Sequence, residues 1–491
     1  MRFRHDADMT SPPLTAPAAF TMSAHAHPPG PSVQLLPPAL LDRLGSAGPR
    51  YTSYPTADRF VEAYGPEQHL QALAQRAQGP GMAAPLSVYV HVPFCESLCY
   101  YCACNKIVTK HHARGAEYLK LLDAEIDLWT QNLGSRASVS QLHFGGGTPT
   151  FLSDEELTQL VTRLRDAFDW LPGIEASIEI DPRTVSRPRL AHLQSLGFNR
   201  ISYGVQDFDP KVQQAVHRVQ PFEQVAQLMT DARDLGFASI NMDLICGLPL
   251  QTAHSFAKTL SQVVQLRPDR IALYAYAHLP TRFKAQRRIH TADIPAADVR
   301  LQLHADAIAA FLAAGYEHIG MDHFALPDDA LAQAKRQGRL HRNFQGYTVQ
   351  PDGDLIGLGV SAISRVGPSF AQNAKTIEEY ADALAQGQWP VVRGIASSRD
   401  DLVRRSAIMA LMCQGRLDFR ALADAHLIDP RTYFAQELEA LASQAAEGLV
   451  VMGEQAVEVT PLGWFFVRSV AAVFDRHLQA DRARERYSKI I

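Results

Sequence analysis

Short runs rich in β-branched and aromatic residues recur between residues 87 and 276, and each is followed by a polar break. The six runs are SVYVHV at 87–92, VSQLHF at 139–144, EASIEI at 175–180, RISYGV at 200–205, ASINMDLI at 238–245 and RIALYAY at 270–276. Longer amphipathic segments separate them, which is the pattern of a parallel βα array. The pattern therefore predicts an α/β fold built on a partial (βα)6 barrel.

The segments between these runs predict helices. GAEYLKLLDAEIDLW has helical periodicity, and so does SDEELTQLVTRLRDAF, where Ser153 is a candidate N-cap with Glu156 three residues later. Because βα crossovers are right-handed, the carboxyl ends of all the strands should lie at one rim of the barrel. Catalytic residues of such barrels sit at that rim, so we expect the chemistry there.

The rest of the chain divides by composition. Residues 1–35 are rich in Pro, Ala, Ser and His without periodicity, which predicts disorder, and Met9 and Met22 leave a later natural start open. An Ala-rich helix is expected near 297–314. The predicted domains are a disordered leader (1–35), an N-terminal segment that covers the substrate (36–85), the partial barrel (86–290), a barrel extension with additional α+β elements (291–395) and a mostly helical, winged-helix-like C-terminal domain (396–491).

Between residues 400 and 478 the pattern reads as three helices, a hairpin in LVVMGEQAVEV and a last helix, an order shared with winged-helix modules. That order suggests DNA binding. However, from Arg399 to Ile491 twelve Lys or Arg stand against thirteen Asp or Glu, and binding to phosphate needs clustered cations. A packing or lid role is therefore preferred, and we expect no nucleic-acid partner.

Composition narrows the class of protein further. The 491 residues are 46% apolar and 20% charged, with a net charge of -4, as expected of a globular protein with a small-molecule partner. No apolar run approaches the roughly 20 residues that cross a bilayer, and the start lacks the continuous apolar region of a signal peptide. We expect a cytoplasmic protein with no membrane partner.

Four of the six cysteines lie within ten residues, at Cys95, Cys99, Cys102 and Cys104. In a reducing compartment such a cluster indicates a metal. The first three form CxxxCxxC directly after the first strand. A structural zinc site needs four ligands, usually from two separated knuckles, and the sequence offers no second knuckle. Three close thiolates suit three corners of a [4Fe-4S] cluster whose fourth iron stays open, with a zinc loop as the alternative.

Two polar features follow other strands at the same rim. GGGTP at 145–149 follows the second strand, where glycines let bare backbone approach a ligand closely. Glu179 and Asp181 close the third strand in EIDP, and strand alternation sends both to one face. A rim carboxylate can accept hydrogen bonds from both hydroxyls of a ribose. The alternative is that either carboxylate only caps the following turn.

A CxxxCxxC loop after the first strand of a partial barrel resembles the radical S-adenosylmethionine superfamily. The resemblance implies that Cys95, Cys99 and Cys102 hold a [4Fe-4S] cluster, whose open iron is chelated by the amino and carboxylate groups of S-adenosylmethionine. One electron from the cluster then cleaves the sulfonium to methionine and a 5'-deoxyadenosyl radical. The residues that match the family's one or two S-adenosylmethionine sites are Tyr89, Tyr101, Gly146, Gly147, Thr148, Glu179, Gln206, Arg218, Asp243, Ala277 and Ile363.

Three cysteines fall outside this ligand set. Cys104 is separated from Cys102 by one residue, a spacing too short to reach a second corner of the cluster. We expect a structural thiol there, with a role on the substrate side as the alternative. Cys246 and Cys413 stand alone in the sequence, and we expect buried, inert thiols.

Three further stretches narrow the resemblance to the oxygen-independent coproporphyrinogen III oxidases of haem biosynthesis. They are GPRYTSYPTADRF at 48–60, CACN at 102–105, and GMDHFALPDD with LHRNFQGYT within 320–348. The resemblance covers about residues 45 to 478. It implies oxidative decarboxylation of the ring A and B propionates of coproporphyrinogen III to vinyl groups, giving protoporphyrinogen IX. It also suggests a monomer served by an electron-donor protein, which the sequence does not identify.

Two other functions compete with this one. A haem chaperone of the same superfamily keeps the cluster loop, but such chaperones generally lack the CxCN extension and the RYTSYPT segment that this sequence carries. A zinc-stabilised binding protein with a winged-helix module is the alternative from another class. It would purify without colour and would never produce 5'-deoxyadenosine.

A substrate with four carboxylates needs cationic or hydrogen-bonding hosts. The candidates in the matched segments are Arg50, Tyr51, Tyr54, Arg59 and Arg342. Further candidates for proton relay or carboxylate contact, each with a structural role as the alternative, are His91, His143, His323 and His341. Because radical intermediates must be shielded from water, we expect the N-terminal segment and the C-terminal helices to cover the barrel mouth.

Overall fold

A large mixed sheet dominates the computed structural model, which describes residues 48–79, 82 and 84–480. In this part of the chain the strands, in order, are β1 (Leu86–Val92), β2 (Phe94–Cys95), β3 (Ile107–Val108), β4 (Ser138–Gly146), β5 (Asp169–Ile180), β6 (Arg200–Gln206), β7 (Ser239–Cys246), β8 (Arg270–Ala275), β9 (Glu317–Gly320), β10 (His323–Ala325), β11 (His341–Asn343), β12 (Gly346–Thr348), β13 (Leu355–Leu358), β14 (Ile363–Val366), β15 (Ser369–Asn373), β16 (Val391–Ala396), β17 (Arg416–Asp418), β18 (Val450–Met452) and β19 (Ala456–Val459).

Helices cover the sheet and form most of the C-terminal region. Among the described residues the α-helices are α1 (Pro66–Gln78), α2 (Ala113–Asn132), α3 (Asp154–Ala167), α4 (Arg187–Ser195), α5 (Pro210–Ala215), α6 (Phe222–Asp234), α7 (Ala253–Leu266), α8 (Ala297–Ala313), α9 (Ala330–Arg336), α10 (Ile377–Ala385), α11 (Arg399–Gln414), α12 (Phe419–His426), α13 (Pro430–Tyr433), α14 (Ala435–Ala446), α15 (Val467–Ala472) and α16 (Arg476–Ala480). Short 3-10 turns lie at Ala57–Arg59, Pro149–Phe151, Pro182–Thr184, Lys284–Arg288, Thr291–Asp293 and Gly463–Phe466.

Within the described residues, twelve strands form one sheet in the order β16-β15-β14-β13-β1-β4-β5-β6-β7-β8-β10-β9. The six strands predicted from the sequence are β1, β4, β5, β6, β7 and β8, and each pairs in parallel with the next. The predicted α/β fold is thus confirmed. A seventh parallel strand, β13, pairs with β1 and was not predicted. Antiparallel strands extend both edges of the sheet.

Each parallel strand of the barrel has one apolar and one polar face. In β6 the apolar residues Ile201, Tyr203 and Val205 are buried, and they belong to the large hydrophobic cluster under the helices. The alternate residues of the strand, such as Ser202, are less buried, and Ser202 lines the barrel interior. Strand alternation therefore supplies both the core and a polar interior for the site.

The predicted helices between the strands are present. The helix α3 begins with the capping box expected at Ser153, whose backbone N–H donates to the Glu156 carboxylate at 2.8 Å. In return the Glu156 backbone N–H donates to the Ser153 hydroxyl at 3.2 Å. The residues that α3 buries include Leu157, Leu160 and Leu164, which recur at helical spacing.

The C-terminal region has helices, a hairpin and then helices in the predicted order, but the described residues form four helices (α11–α14) before the hairpin where three were predicted, and two (α15 and α16) after it where one was predicted. The hairpin strands β18 and β19 are joined by β17 in a small sheet of order β17-β19-β18. A second hydrophobic cluster lies here, and Tyr51 and Tyr54 of the N-terminal segment belong to it. The predicted disordered leader and the alternative starts Met9 and Met22 lie outside the described residues. None of the described helices is both long enough and apolar enough to span a bilayer.

Candidate active site

The cysteine loop begins directly after β1 and is closed at its base by backbone hydrogen bonds. The short strands β2 and β3 pair in parallel across the loop. The Ile107 N–H donates to the Pro93 carbonyl at 2.7 Å, and the Thr109 N–H donates to the Cys95 carbonyl at 2.9 Å. Both ends of the loop are therefore fixed at the carboxyl rim of the barrel, where the sequence pattern placed it.

Polar groups from neighbouring strands surround the sulfur atoms of the loop. The Thr148 hydroxyl donates to Cys95 Sγ at 3.5 Å. The guanidinium groups of Arg218 and Arg183 donate to Cys99 Sγ at 3.4 and 3.6 Å. Hydrogen bonds and positive charge at a sulfur stabilise its thiolate. The sulfurs of Cys95 and Cys99 therefore have hydrogen-bond donors beside them, although burial outweighs the Thr148 hydrogen bond and raises the pKa of Cys95 to about 11.

The donor set fits an iron–sulfur cluster better than a single ion. In the described part of the chain all six cysteines are free thiols. No three His, Cys, Asp or Glu side chains among the described residues stand close enough together to bind one metal ion. A [4Fe-4S] cube spreads its thiolates over three separate irons, whereas a zinc site gathers its ligands around one ion. The three thiols of the loop Cys95–Cys102 suit three corners of such a cube.

Asp181 holds the two arginines of the cysteine loop. Its carboxylate accepts from Arg183 at 2.6 Å and from Arg218 at 3.1 Å. Burial raises the pKa of Asp181, but the two guanidinium groups outweigh burial and keep that pKa below its usual value. Strand alternation predicted that Asp181 shares a face with Glu179. Instead, β5 ends at Ile180, and Asp181 caps the next turn and lines a small cavity with Cys95.

The glycine run makes the close approach of β1 and β4 possible. Gly146 has φ +114°, and a Cβ atom there would lie 2.7 Å from the ring of His91. A Cβ atom on Gly147 would lie 2.7 Å from the backbone of Pro93 and Phe94. The Gly147 N–H donates to the carbonyl of Val92 at 2.8 Å. Side chains at these positions would push the cysteine loop away from the rim.

Glu179 faces the interior of the barrel beside the glycine run. Its Oε2 atom accepts from the Gly146 N–H at 3.2 Å, and its Oε1 atom lies 3.3 Å from Nε2 of His143. Its side chain is 43% exposed, and each oxygen, with one partner here, keeps a lone pair that can accept from a ligand. In the described structure it forms no ion pair with Lys or Arg.

A cavity of about 490 Å³ fills the barrel interior below the rim. Of the candidates for binding S-adenosylmethionine, those that line it are Tyr89, Gly146, Glu179, Asp243 and Ile363. The Asp243 carboxylate accepts from Ser202 Oγ at 3.0 Å and from Asn241 Nδ2 at 2.9 Å. Burial at the cavity wall and the nearby Glu179 carboxylate raise the pKa of Asp243 to about 7.

The other candidates for the cosubstrate are not among the residues that line this cavity, and Thr148 lines the small cavity beside Cys95 instead. Gln206 ends β6 with φ +71°, and its side-chain oxygen is buried without a hydrogen bond. An unsatisfied buried acceptor is costly, so a ligand donor is expected there. The carbonyl groups of Tyr101 and Ala277 both accept from the side chain of Gln286, at 3.0 and 3.1 Å. Gln286 therefore joins the cysteine loop to the end of β8.

Comparison with known proteins gives a consistent picture. The model of the Radical SAM superfamily matches residues 89–263, and that of the HemN C-terminal domain matches residues 397–466. The oxygen-independent coproporphyrinogen III oxidases of Salmonella typhimurium and Escherichia coli are each 46% identical to this chain, and each alignment covers 92% of the chain and 98% of the relative. The solved coproporphyrinogen III oxidase of Escherichia coli has 47% identity and a TM-score of 0.84, covering 87% of this chain and 98% of that one.

The chain belongs to the family of oxygen-independent coproporphyrinogen III oxidases. A haem chaperone with the same cluster loop was the main rival, and the similarity over nearly the whole length of the oxidases argues against it. The family uses a [4Fe-4S] cluster and S-adenosylmethionine, and the cysteine loop and the carboxylates described above fit both.

Three of the five substrate candidates in this oxidase join the N-terminal segment to the C-terminal helices. Tyr51 and Tyr54 are buried in the second hydrophobic cluster, and the Tyr51 hydroxyl donates to Asp475 at 3.1 Å. The Arg59 guanidinium donates to the carbonyl of His477 at 3.0 Å. Contact of these three residues with substrate stays a prediction, whereas their contacts with the C-terminal helices are part of the fold.

The other two substrate candidates lie directly behind aromatic residues of the cavity wall. The Arg50 guanidinium is 5.1 Å from the ring centre of Tyr274, and that of Arg342 is 4.6 Å from the ring centre of Tyr347. Both rings line the cavity. Arg342 also donates to the Arg50 carbonyl at 3.1 Å. Both guanidinium groups thus lie close behind the cavity wall, where Arg50 also donates to the buried Asp322 carboxylate.

The four candidate histidines differ in whether they line the large cavity. His91, His143 and His323 line the cavity. His91 bridges the hydroxyl of Tyr89 and the carbonyl of Asn105, each at 3.0 Å. His341 lies instead in smaller cavities on the far side of the β11–β12 hairpin. Three of them are therefore placed to meet a ligand.

The remaining cysteines separate clearly by exposure. Cys104 is exposed and lines the cavity, and its hydrogen bond to Cys102 lowers the pKa of that thiol to about 6. Cys246 and Cys413 are buried, as predicted, and burial raises the pKa of each to about 12. The structure therefore favours the substrate-side alternative for Cys104 and leaves the other two as packed thiols.

Sequence reasoning missed Arg183 and Gln286. Arg183 contacts Cys99, and Gln286 contacts the backbone of the cysteine loop. Neither residue stands in a motif, since their partners are 84 and 185 residues away in the sequence. For Arg183, its position directly after the EIDP motif was the one available signal.

Proposed function

We propose that this chain catalyses the oxygen-independent oxidative decarboxylation of coproporphyrinogen III. Two propionate side chains, on rings A and B, become vinyl groups, and the product is protoporphyrinogen IX. The observation that carries this proposal is a three-thiol loop at the rim of a polar cavity of about 490 Å³, in a chain that aligns with 98% of the length of the curated oxidases.

Cys95, Cys99 and Cys102 would hold the cluster. When bound, the cluster and S-adenosylmethionine supply the 5'-deoxyadenosyl radical that removes a hydrogen atom from a propionate side chain. Arg183 and Arg218 donate hydrogen bonds to the Cys99 sulfur and place positive charge beside it. Asp181 binds both guanidinium groups and fixes their positions.

The residues beside the loop position the cosubstrate. Glu179 offers both carboxylate oxygens to the ribose hydroxyls, because its existing partners leave lone pairs free. Gly146 keeps the space beside His91 open, since even a Cβ atom would meet that ring at 2.7 Å. Gln206 brings an unsatisfied acceptor, and Asp243 a carboxylate whose partners are neutral. The assignments to Gly147, Thr148, Tyr89, Tyr101, Arg218, Ala277 and Ile363 rest on the family match and on their place at this rim.

The cavity wall suits a porphyrinogen with carboxylate arms. Aromatic rings of Tyr89, Tyr274 and Tyr347 give apolar surface for the pyrroles, and the guanidinium groups of Arg50 and Arg342 stand behind two of these rings. Since Arg50 is paired with Asp322, Arg342 is the cation that favours binding of an anion through its field. Of the five substrate candidates, these two arginines are the best supported by position.

Location and assembly follow from the same chemistry. A three-thiolate cluster survives only where thiols stay reduced, and the described cysteines are all free. We infer a cytoplasmic enzyme. We also propose that it acts as a monomer with a separate electron-donor protein, as the family resemblance suggests.

Anaerobic turnover tests the proposal. Protein with a reconstituted cluster, given dithionite, S-adenosylmethionine, coproporphyrinogen III and an electron acceptor from cell extract, should yield protoporphyrin and 5'-deoxyadenosine on chromatography. Cys99→Ser should yield neither product, whereas Cys246→Ser, a buried cysteine outside the loop, should yield both. 5'-Deoxyadenosine without the decarboxylated product would point to another substrate. Neither product from wild-type protein with a loaded cluster would favour a haem chaperone.

A further inference from the structure

A cationic surface lies on the outer side of the barrel next to the cysteine loop. The loop after β8 carries Arg282, Lys284, Arg287 and Arg288, all of which are exposed, and we call these four residues the cationic face. From residue 270 to residue 292 the sequence contains no Asp or Glu. The chain as a whole has a net charge of -4. The cationic face therefore has the opposite sign of charge to the molecule as a whole.

The cationic face has no carboxylate partner of its own. Of the ion pairs in the described structure, none involves these four residues, although many other arginines form such pairs. Arg287 donates only to the carbonyl of Pro280, at 3.0 Å. Unpaired, solvated cations project their field into solvent and attract an oppositely charged partner.

This loop rests directly on the loop that carries the cysteines. Besides the Gln286 contact to Tyr101, the Arg288 guanidinium lies 5.3 Å from the ring centre of Tyr100. Tyr100 follows Cys99 in the chain. Its ring stacks on that of His217, with ring centres 5.1 Å apart and planes 9° apart. The cationic face is therefore next to the residues that would hold the cluster.

Tyr100 lies on a side of the cysteine loop that does not line the cavity. Its backbone N–H donates to the carbonyl of Val216 at 3.0 Å, so this part of the loop packs against the outer elements of the barrel. The cavity is lined by Cys104 and Asn105 but by neither Tyr100 nor the cationic face. Beside Tyr100, His217 is exposed and Val219 is 57% exposed. Flat rings, an exposed valine and a rim of cations provide the apolar centre and polar rim of a transient interface.

We propose that the cationic face and the Tyr100–His217 stack form the docking surface for an acidic one-electron carrier protein. The inference rests on the proposed function, because only a cluster at Cys95, Cys99 and Cys102 gives an electron a destination here. The reduced carrier loses one electron and the oxidised cluster gains one, with no bond made and no proton transferred. Docking at this surface keeps the carrier outside the barrel, so that the cavity stays free for substrate.

A charge-reversal pair tests the docking surface without touching the cysteine loop. The test variant is Lys284→Glu with Arg287→Glu. The control is Arg339→Glu with Arg420→Glu, two exposed arginines elsewhere that give the same change in net charge. Each protein, with a reconstituted cluster, is titrated with flavodoxin by calorimetry at low and high salt. The rate at which reduced flavodoxin bleaches the cluster absorbance is then compared with the rate given by dithionite.

We expect the test variant to bind flavodoxin about tenfold more weakly at low salt and to be reduced by it about tenfold more slowly, because rim charges act mainly on association. Its reduction by dithionite and its KM for coproporphyrinogen III should match those of the wild type. The control should behave as wild type in every assay. High salt should remove most of the difference, since exposed charges are screened.

Two results would overturn the proposal. One is unchanged flavodoxin binding and reduction in the test variant. The other is a raised KM for coproporphyrinogen III with unchanged flavodoxin kinetics, which would make the cationic face an entry for substrate carboxylates. If dithionite-driven turnover is absent even in the wild type, the proposed reaction fails instead, while flavodoxin binding still reports on the docking surface.

Discussion

Two glutamates on strand β5, four residues apart, face the same cavity in different electrostatic settings. Glu175, toward the amino end of the barrel, has Arg200 Nε at 3.2 Å and accepts from Gln141 at 3.1 Å. Glu179, at the carboxyl rim, has hydrogen-bond contacts with the Gly146 N–H and the His143 imidazole and, among the described residues, no ion pair with Lys or Arg. The floor carboxylate is neutralised by the fold, and the rim carboxylate is left for a ligand.

Two aspartates, Asp329 and Asp243, also differ in whether a cation pairs with the carboxylate. Asp329 at the floor accepts from Arg270 at 2.9 Å with both oxygens. Asp243 near the rim accepts only from neutral Ser202 and Asn241. Since desolvated carboxylates are stable when a cation pairs with them, the floor network is expected to serve stability. Among the described residues the rim pair forms no ion pair with Lys or Arg, and burial beside Glu179 raises the pKa of Asp243 to about 7.

The largest expected effect comes from Glu179→Gln. This change keeps the size of the side chain but removes the charge that strengthens two hydrogen bonds to a ribose. Loss of about 2 to 3 kcal/mol should weaken S-adenosylmethionine binding about 100-fold. Anaerobic equilibrium dialysis measures the affinity, and the urea midpoint of unfolding should be unchanged. An unaltered affinity would remove Glu179 from the cosubstrate site.

Glu175→Gln should do the opposite: it should lower the stability of the fold and leave binding of S-adenosylmethionine nearly unchanged. Arg200 would lose its nearest carboxylate in a largely buried site, which should lower the free energy of unfolding by about 2 kcal/mol. Binding of S-adenosylmethionine should stay within twofold of the wild type at a temperature where the variant is folded. Urea titration and dialysis on the same two variants give both readings. A large loss of affinity in Glu175→Gln with normal stability would contradict the comparison.

Gly146→Ala should have a somewhat smaller effect. The new methyl group would meet the ring of His91 at 2.7 Å at a positive φ. We expect the free energy of unfolding to fall by about 1.5 kcal/mol more than in the matched variant Gly173→Ala. Gly173 lies in β5, also has positive φ, and has open space around its Cα. Equal losses in thermal unfolding would show that backbone conformation alone matters at Gly146.

Much of this site was visible in the sequence because its signals are local. The six strands, the cysteine spacing and the glycine run each depend on residues within about ten positions. The short strand β13 was missed because four residues carry too little periodicity, and its partner β1 lies far away in the chain. The different roles of Glu175 and Glu179 were also hidden, because Arg200 becomes the partner of Glu175 only when β5 and β6 pair.

The smallest expected effect is a pH dependence of stability that Asp243→Asn should remove. The folded pKa of Asp243, about 7, lies above the usual pKa of an unfolded aspartate, near 4. The folded protein therefore holds the proton more tightly. The stability that this proton contributes is complete below about pH 4 and is lost as the pH rises toward 7. Because the cavity admits water, we expect the loss between pH 5 and pH 7.5 to be about 1 kcal/mol.

The measurement for Asp243 is urea unfolding at several pH values, with Asp328→Asn as the control because Asp328 is exposed. The difference in unfolding free energy between wild type and Asp243→Asn should fall across this range, whereas the difference for the control should stay flat. A flat profile for Asp243→Asn would mean that Asp243 is ionised throughout. The contrast between the ion-paired aspartate at the floor and the proton-holding aspartate near the rim would then not hold.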